Sequence, residues 1–161
     1  MSLSDRRQIL LALAALPLAA CGFTPAYAPG GAGAALRGQV RADDPRSDLD
    51  FDFVAALEDR LGRPQTPRYT LTYAIQTNER GSGQVAGLGE TRIALIGTID
   101  YVLTDTTTGQ VVARDQLRGI TNYSTTATQL ATLRAAEDAA RRLARILADQ
   151  VATRLIAALS A

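Results

Sequence analysis

Residues 69–77 read Tyr69-Thr70-Leu71-Thr72-Tyr73-Ala74-Ile75-Gln76-Thr77, and apolar and polar side chains alternate along them. Because successive side chains of a strand point to opposite faces, this period of two predicts a strand with one buried and one solvated face. Two further alternating runs, Arg92–Thr104 and Gln110–Tyr123, flank a turn at Asp105–Gly109. Strands joined by short connections pair antiparallel, so the three runs predict an antiparallel meander.

Helical patterns lie on both sides of these strands. Phe53, Leu57 and Leu61 recur at helical spacing after an acidic start, where we expect Asp48, Asp50 or Asp52 to cap a short helix that Gly62 ends. From about Thr125 the chain predicts a long last helix, whose start carries no charge between Tyr123 and Leu133. The apolar stripe of that helix comprises Leu130, Leu133, Ala140, Leu143, Leu147, Val151, Leu155 and Leu159.

A short run at Leu36–Ala42 predicts one more strand before the first helix. The expected order is therefore β-α-β-β-β-α. This order predicts an α+β fold with a small mixed or antiparallel four-stranded sheet, covered on one face by two helices.

A glycine-rich segment separates the first two strands of the meander. Its sequence Gly81-Ser82-Gly83-Gln84-Val85-Ala86 matches the dinucleotide pattern G-x-G-x-x-A, but a strand rather than the required helix follows it. We therefore interpret Arg80–Gly89 as a flexible hairpin loop. Arg80 at one end and Arg92 just beyond the other could contact an anionic ligand, or could simply be solvated.

The amino terminus has the three zones of a secretory signal. Arg6 and Arg7 precede an unbroken apolar run, Ile9–Leu16, and small residues then lead to Cys21. The apolar run is too short to span a bilayer, which takes about 20 residues. We expect residues 1–20 to be the signal, residues 21–35 a tether rich in glycine, alanine and proline, and residues 36–161 a single domain.

The composition excludes several classes of function. The chain has no histidine and no lysine, so a histidine-based triad, a histidine metal site and a Ser-Lys dyad are all excluded. Without Asp5, Arg6 and Arg7, the mature chain carries fifteen basic and fifteen acidic residues, and this neutrality argues against nucleic-acid binding. Asp48, Asp50 and Asp52 match the start of a calcium loop, but its sixth position, where glycine is needed, is Phe53. We therefore expect no enzyme, no metal and no soluble cofactor.

The segment Leu18-Ala19-Ala20-Cys21 resembles a bacterial lipobox. That resemblance implies cleavage before Cys21, a thioether-linked diacylglycerol on its sulfur and an acyl chain on its amino group; several chains together anchor stably in a membrane. Arg6-Arg7-Gln8 also resembles a twin-arginine export signal, and the choice between this route and the general secretory route stays open.

Three segments of the mature chain resemble the LptE family of lipopolysaccharide-assembly lipoproteins, in its alphaproteobacterial form. They are Cys21-Gly22-Phe23-Thr24-Pro25-Ala26-Tyr27, Leu57-Glu58-Asp59-Arg60-Leu61-Gly62 and Ala135-Ala136-Glu137-Asp138-Ala139-Ala140-Arg141-Arg142-Leu143-Ala144. The predicted element order is similar as well.

The resemblance implies a non-enzymatic lipoprotein of the outer membrane, held on its periplasmic side. Such a protein would be the plug and assembly partner of an LptD-type β-barrel in lipopolysaccharide transport to the cell surface. Arg80 is the nearest counterpart of a basic residue of the family that contacts lipopolysaccharide; a second one, a lysine near the start of the last helix, is missing here. The alternative is an auxiliary lipoprotein of an intermembrane phospholipid transport system.

Overall fold

The computed structural model describes residues 31–85, 89–125 and 128–160. Three helices and four strands form one unit, and all three helices lie on the same side of the sheet. In chain order the elements are α1 (Ala32–Leu36), β1 (Val40–Ala42), α2 (Asp48–Leu61), β2 (Tyr69–Val85), β3 (Gly89–Asp105), β4 (Val111–Ser124) and α3 (Gln129–Ser160).

The sheet is mixed, which is one of the two forms that the sequence left open. Its strand order is β1-β2-β3-β4; β1 runs parallel to β2, and the other neighbours pair antiparallel. The predicted α+β architecture is therefore confirmed, with α1 as an additional helix. The first strand begins at Val40 rather than at Leu36, because Leu36 closes the turn of α1 and is fully buried. Gly38 then turns the chain with a φ of 69°, a conformation that favours glycine.

The N-cap of α2 lies one residue before the first of the expected acidic caps. The Ser47 hydroxyl accepts a hydrogen bond from the backbone N–H of Asp50 at 3.1 Å, so Ser47 is the N-cap and the aspartates lie within the first turns. Gly62 ends the helix with a φ of 79°, as predicted. The buried face of α2 reaches the sheet through Phe53, whose ring lies 4.8 Å from that of Tyr73 on β2.

The pairing register shows which face of the sheet the helices cover. The odd-numbered positions of β3 are its buried ones, and they pair with odd-numbered positions of β2 and β4. The inward face of β3 carries Leu95, Ile99, Tyr101 and Leu103, which are buried, in agreement with the alternation of the run Arg92–Thr104. The even-numbered positions of the three strands therefore form the opposite face, which is named the open face below.

Helix α3 covers β3 and β4 through only part of its predicted apolar stripe. Leu143, Leu147, Val151 and Leu155 are fully buried, but Leu130 and Leu133 remain 66% and 56% exposed. The predicted apolar stripe is therefore longer than the buried one. The first turns of α3 keep the helical spacing of apolar residues, but Leu130 and Leu133 are exposed there rather than packed against the core.

Two facing glycines let α3 lie directly on the sheet. Gly97 of β3 pairs with Gly119 of β4, and both lie beneath Leu143. A Cβ atom at Gly97 would come within 2.8 Å of Leu143 Cδ2, and one at Gly119 within 3.0 Å of Leu143 Cδ1. The contact at Gly97 is closer than real Cβ atoms come, and the one at Gly119 is tighter than most. A side chain at either position would therefore require the buried Leu143 side chain or α3 to shift.

The predicted flexible loop at Arg80–Gly89 is mostly strand. β2 continues to Val85 and β3 starts at Gly89, and their ladder continues past two register shifts, between Gly81 and Gly83 and between Gly83 and Gln84. The glycines accommodate these irregularities of the ladder, which is a common use of glycine in strands.

The turn from β3 to β4 is organised by one buried carboxylate. Asp105 accepts hydrogen bonds from the backbone N–H groups of Thr107 and Thr108 at 2.8 and 3.3 Å. The Arg68 guanidinium donates to it through Nε and Nη2 at 3.0 and 2.9 Å. Burial alone would raise the pKa of the Asp105 carboxyl, but the Thr107 amide, Arg68 and the Thr108 amide together lower it.

Replacing Gly97 with alanine should destabilise the domain by about 1–3 kcal/mol, because the new methyl group meets the buried Leu143 side chain. Gly83→Ala, whose added Cβ would come no closer than 3.4 Å to its neighbours, is the control and should cost less. Leu143→Ala alone should cost about 2–5 kcal/mol. In urea unfolding, the double variant should lose less than the sum of the two single losses; full additivity would contradict this packing.

Asp105→Asn should lower stability at neutral pH, because the turn and Arg68 then lose a charged acceptor. The folded-state pKa is lowered, so the stabilisation is fully present above the unfolded value of about 3.9 and is lost as pH falls through the folded value. The unfolding free energies of the two proteins should therefore converge only below about pH 4. Asp44→Asn, at an exposed ion pair, should stay close to wild type. A difference independent of pH would contradict this role of Asp105.

Candidate functional site

The open face of the sheet is an extended polar surface. By register it carries threonine, glutamine, asparagine and arginine side chains from the three long strands, with Ile96, Val102 and Ile120 between them. Its contributors from β4 include Arg114, Gln116 and Arg118, which are exposed. Such a surface suits a polar or hydrated environment better than the acyl region of a membrane.

Both predicted arginines lie towards the hairpin end of this face. Arg80 pairs with Ala94, and Arg92 lies two positions before Ala94 on β3, so the two arginines are diagonal neighbours on the same side of the pleat. Both side chains are exposed. Of the ion pairs that the described residues form, none involves Arg80 or Arg92. Their guanidinium groups are therefore available to an anion.

A groove of about 310 Å³ beside Arg92 adds a basic residue that the sequence analysis did not assign to any site. Its lining consists of Arg92, Asn122, Tyr123, Ser124, Ala135, Asp138 and Arg142. Arg142 of α3 donates to the Asn122 carbonyl at 2.9 Å and pairs with Asp138. The sequence predicts the pairing of Arg142 with Asp138 on one helix, but it carries no signal for the contact with β4.

Near the hairpin that joins β2 to β3, a hydrogen bond links β4 to β2 on the face of the sheet that the helices cover. The Tyr123 hydroxyl on β4 donates to Glu79 Oε1 on β2 at 3.0 Å, passing over β3. Partial burial and then the bond to the Glu79 carboxylate raise the pKa of the Tyr123 hydroxyl. Tyr123 therefore remains a donor, and Glu79 is held on the face opposite to Arg80.

The start of α3 is uncharged and partly apolar at its surface. The first turn of the helix has no acidic residue, and Leu130 and Leu133 are exposed there. This end of the molecule therefore combines arginines on the strands with exposed leucines on the helix. Further along α3, Arg134 pairs with Glu137 and Arg141 pairs with Asp138.

Other predicted features lie elsewhere or outside the described residues. Asp48, Asp50 and Asp52 belong to α2, and the described part of the chain contains no cluster of side chains suited to a metal ion. No helix within residues 31–85, 89–125 and 128–160 combines the length and the apolar character needed to cross a membrane. Cys21 lies outside these ranges, so its lipidation remains a prediction.

Comparison with known proteins relates the chain to lipoproteins. The family model for LptE, described as lipopolysaccharide-assembly, matches residues 36–155. No curated protein matches the sequence.

Solved structures with the same fold include three bacterial lipoproteins. A protein described as a lipoprotein from Caulobacter crescentus CB15 has 20% identity and a TM-score of 0.67, over 81% of this chain and 97% of that one. A minor lipoprotein from Acinetobacter baumannii has 16% identity and a TM-score of 0.55, over 74% and 89%. The rare lipoprotein B from Shewanella oneidensis has 12% identity and a TM-score of 0.51, over 76% and 92%.

Proposed function

The chain belongs to the LptE lipopolysaccharide-assembly family, and from this we propose that it is the plug and assembly partner of an LptD-type outer-membrane β-barrel. The family match carries the proposal, since it spans residues 36–155 and so includes nearly all of the folded domain. Membership makes the chain a lipopolysaccharide-assembly protein of a non-enzymatic lipoprotein family. The proposal goes beyond family membership in three respects: the barrel partner, the location in the outer membrane and the lipid on Cys21.

The open face supports a position inside a barrel. The interior of a large outer-membrane barrel is polar, whereas its outer surface is an apolar band. A sheet face of threonine, glutamine, asparagine and arginine side chains can exchange hydrogen bonds with such an interior. The same face would lose hydration without compensation in lipid.

The predicted anchor is compatible with this position. Diacylglycerol and an N-linked acyl chain on Cys21 would hold the protein on the periplasmic side of the membrane. From Cys21 to Gly31 the chain can span at most roughly 35 Å when fully extended. This reach exceeds the roughly 25 Å height of the apolar band of a barrel. Lipoproteins that are retained in the inner membrane carry aspartate directly after the lipidated cysteine. In this chain that position is Gly22, and the lack of aspartate there favours outer-membrane residence.

Lipopolysaccharide contact is the second proposed part of the function. Arg80 and Arg92 are exposed and adjacent, and neither takes part in an ion pair within the described part of the chain. The planar fork of arginine suits bidentate contact with phosphate. Arg142 lies across the groove from Arg92, but Asp138 already neutralises it. We therefore assign the contact to the Arg80–Arg92 pair alone.

Purification of the native lipoprotein in mild detergent should recover a very large β-barrel protein, and intact mass should show acyl chains on a chain that begins at Cys21. Cys21→Ala should remove the acyl mass and the membrane retention, because it removes the anchoring chains together. Recovery of inner-membrane transporter components would instead support the phospholipid-transport alternative. A mature chain without acyl mass would contradict the lipoprotein assignment.

The double change Arg80→Ala and Arg92→Ala should weaken lipopolysaccharide binding and reduce its salt dependence, since two exposed cations are removed. Stability should change by less than about 0.5 kcal/mol per site, and barrel recovery should be unchanged. Arg114→Ala with Arg118→Ala, two exposed arginines of the same face on β4, is the matched control. Unchanged binding in the first variant would leave the plug role intact and remove the ligand role from this arginine pair.

A further inference from the structure

Among the residues that the structure describes, none pairs with the outer edge of β2 along most of its length. β1 pairs only with Tyr69–Leu71, and one further bond joins the Asp43 N–H to the Leu71 carbonyl at 2.9 Å. The chain then leaves the sheet for α2, while β2 continues from Thr72 to Val85. The pairing of β2 with β3 is regular as far as Gly81, so Thr72–Arg80 is a straight strand with one free side.

Alternate residues of β2 direct their backbone N–H and C=O groups towards this free side. The Tyr69 N–H bonds to Gln39 and the Leu71 carbonyl to Asp43, so odd-numbered residues of β2 direct their backbone groups outward. Beyond β1 these residues are Tyr73, Ile75, Thr77 and Glu79. Within residues 31–85, 89–125 and 128–160, no hydrogen bond reaches their outward N–H and C=O groups.

The other edge of the sheet is partly shielded by side chains of α3, in contrast to the β2 edge. On β4 the outward carbonyls include those of Arg118 and Asn122, and side chains of α3 occupy both. Gln150 donates to the Arg118 carbonyl at 3.4 Å, and Arg142 donates to the Asn122 carbonyl at 2.9 Å. The β2 edge has no proline between Tyr69 and Val85, and its only charges, Glu79 and Arg80, lie towards one end. Proteins usually shield an edge of this length.

We propose that the free edge of β2 from Thr72 to Arg80 binds an extended segment of the barrel partner by strand addition. The inference rests on the proposed function for the identity of that partner. A row of outward N–H and C=O groups is recognised by another extended backbone. Because a closed barrel wall has no free strand edge, the added segment comes from a loop or terminal extension outside that wall.

The surroundings of the edge favour this partner over a second copy of the chain. Thr77 and Glu79, on the helix side of the edge, are exposed and polar, so pairing here would bury little apolar area. Main-chain hydrogen bonds alone contribute modestly, and a stable dimer needs a larger and better packed surface. A barrel that already holds the open face would instead supply the strand at a high effective concentration.

Thr77→Pro tests the edge with little change elsewhere. It removes one outward N–H and places a ring against an incoming strand, while the bonds to β3 come from the even-numbered residues. We expect at least about fivefold weaker binding of the barrel co-purified with the wild-type lipoprotein. Thr77→Val keeps the N–H and should bind normally.

Hydrogen exchange of the full lipidated protein, free and barrel-bound, provides a readout that does not depend on these variants. In the complex, exchange should slow by tenfold or more at Tyr73, Ile75, Thr77 and Glu79. Thr72, Ala74, Gln76 and Asn78 should exchange slowly in both states, because they bond to β3. Unchanged exchange of the odd-numbered amides in a barrel complex overturns strand addition and leaves the plug function standing.

Two further outcomes overturn the assigned occupant. Protection of the odd-numbered amides in the free protein would assign the edge to the chain's own amino-terminal residues, or to a second copy if it depends on concentration. If the wild-type protein recovers no barrel at all, the proposed function fails, and the assignment of this edge to a barrel segment fails with it.

Discussion

The packing of α3 on the sheet depends on how closely a helix can approach two strands. Gly97 and Gly119 leave a space without side chains across β3 and β4, and Leu143 fills it. Because α3 also packs against α2, the depth of this contact sets the height of the whole helical layer. A larger residue at either glycine would separate the layers along the fully buried row that continues with Leu147 and Val151.

Local periodicity predicted most of this architecture. Alternation in the strands identified their buried faces, and helical spacing identified Phe53, Leu57 and Leu61 on α2 and the central leucines of α3. These predictions succeed because each depends on residues close in sequence that must share one face. The same reasoning overestimated α3 at Leu130, since periodicity shows which face could be buried but not whether another element lies opposite.

The features that sequence reasoning missed are contacts between distant residues. A glycine inside a strand can mark a bulge, a bend or a close approach, and only the register shows that Gly97 faces Gly119. The glycines after Arg80 suggested a loop, but continued pairing with β3 holds them in a strand. Likewise, Asp105 appeared only as a turn residue, because its partner Arg68 lies 37 positions away.

One-sided packing also explains where the domain can interact. Helices that cover a single face of a sheet leave the other face and both edges to be satisfied by water, side chains or partners. Here α3 runs over β3 and β4, so its own Arg142 and Gln150 reach the β4 edge. Helix α2 is only 14 residues long, and within residues 31–85, 89–125 and 128–160 no side chain is hydrogen-bonded to the outward backbone groups of β2 beyond Leu71. The difference in length between α2 and α3 therefore makes the two edges differ in how far side chains shield their backbone groups. The less shielded edge, that of β2, borders the open polar face.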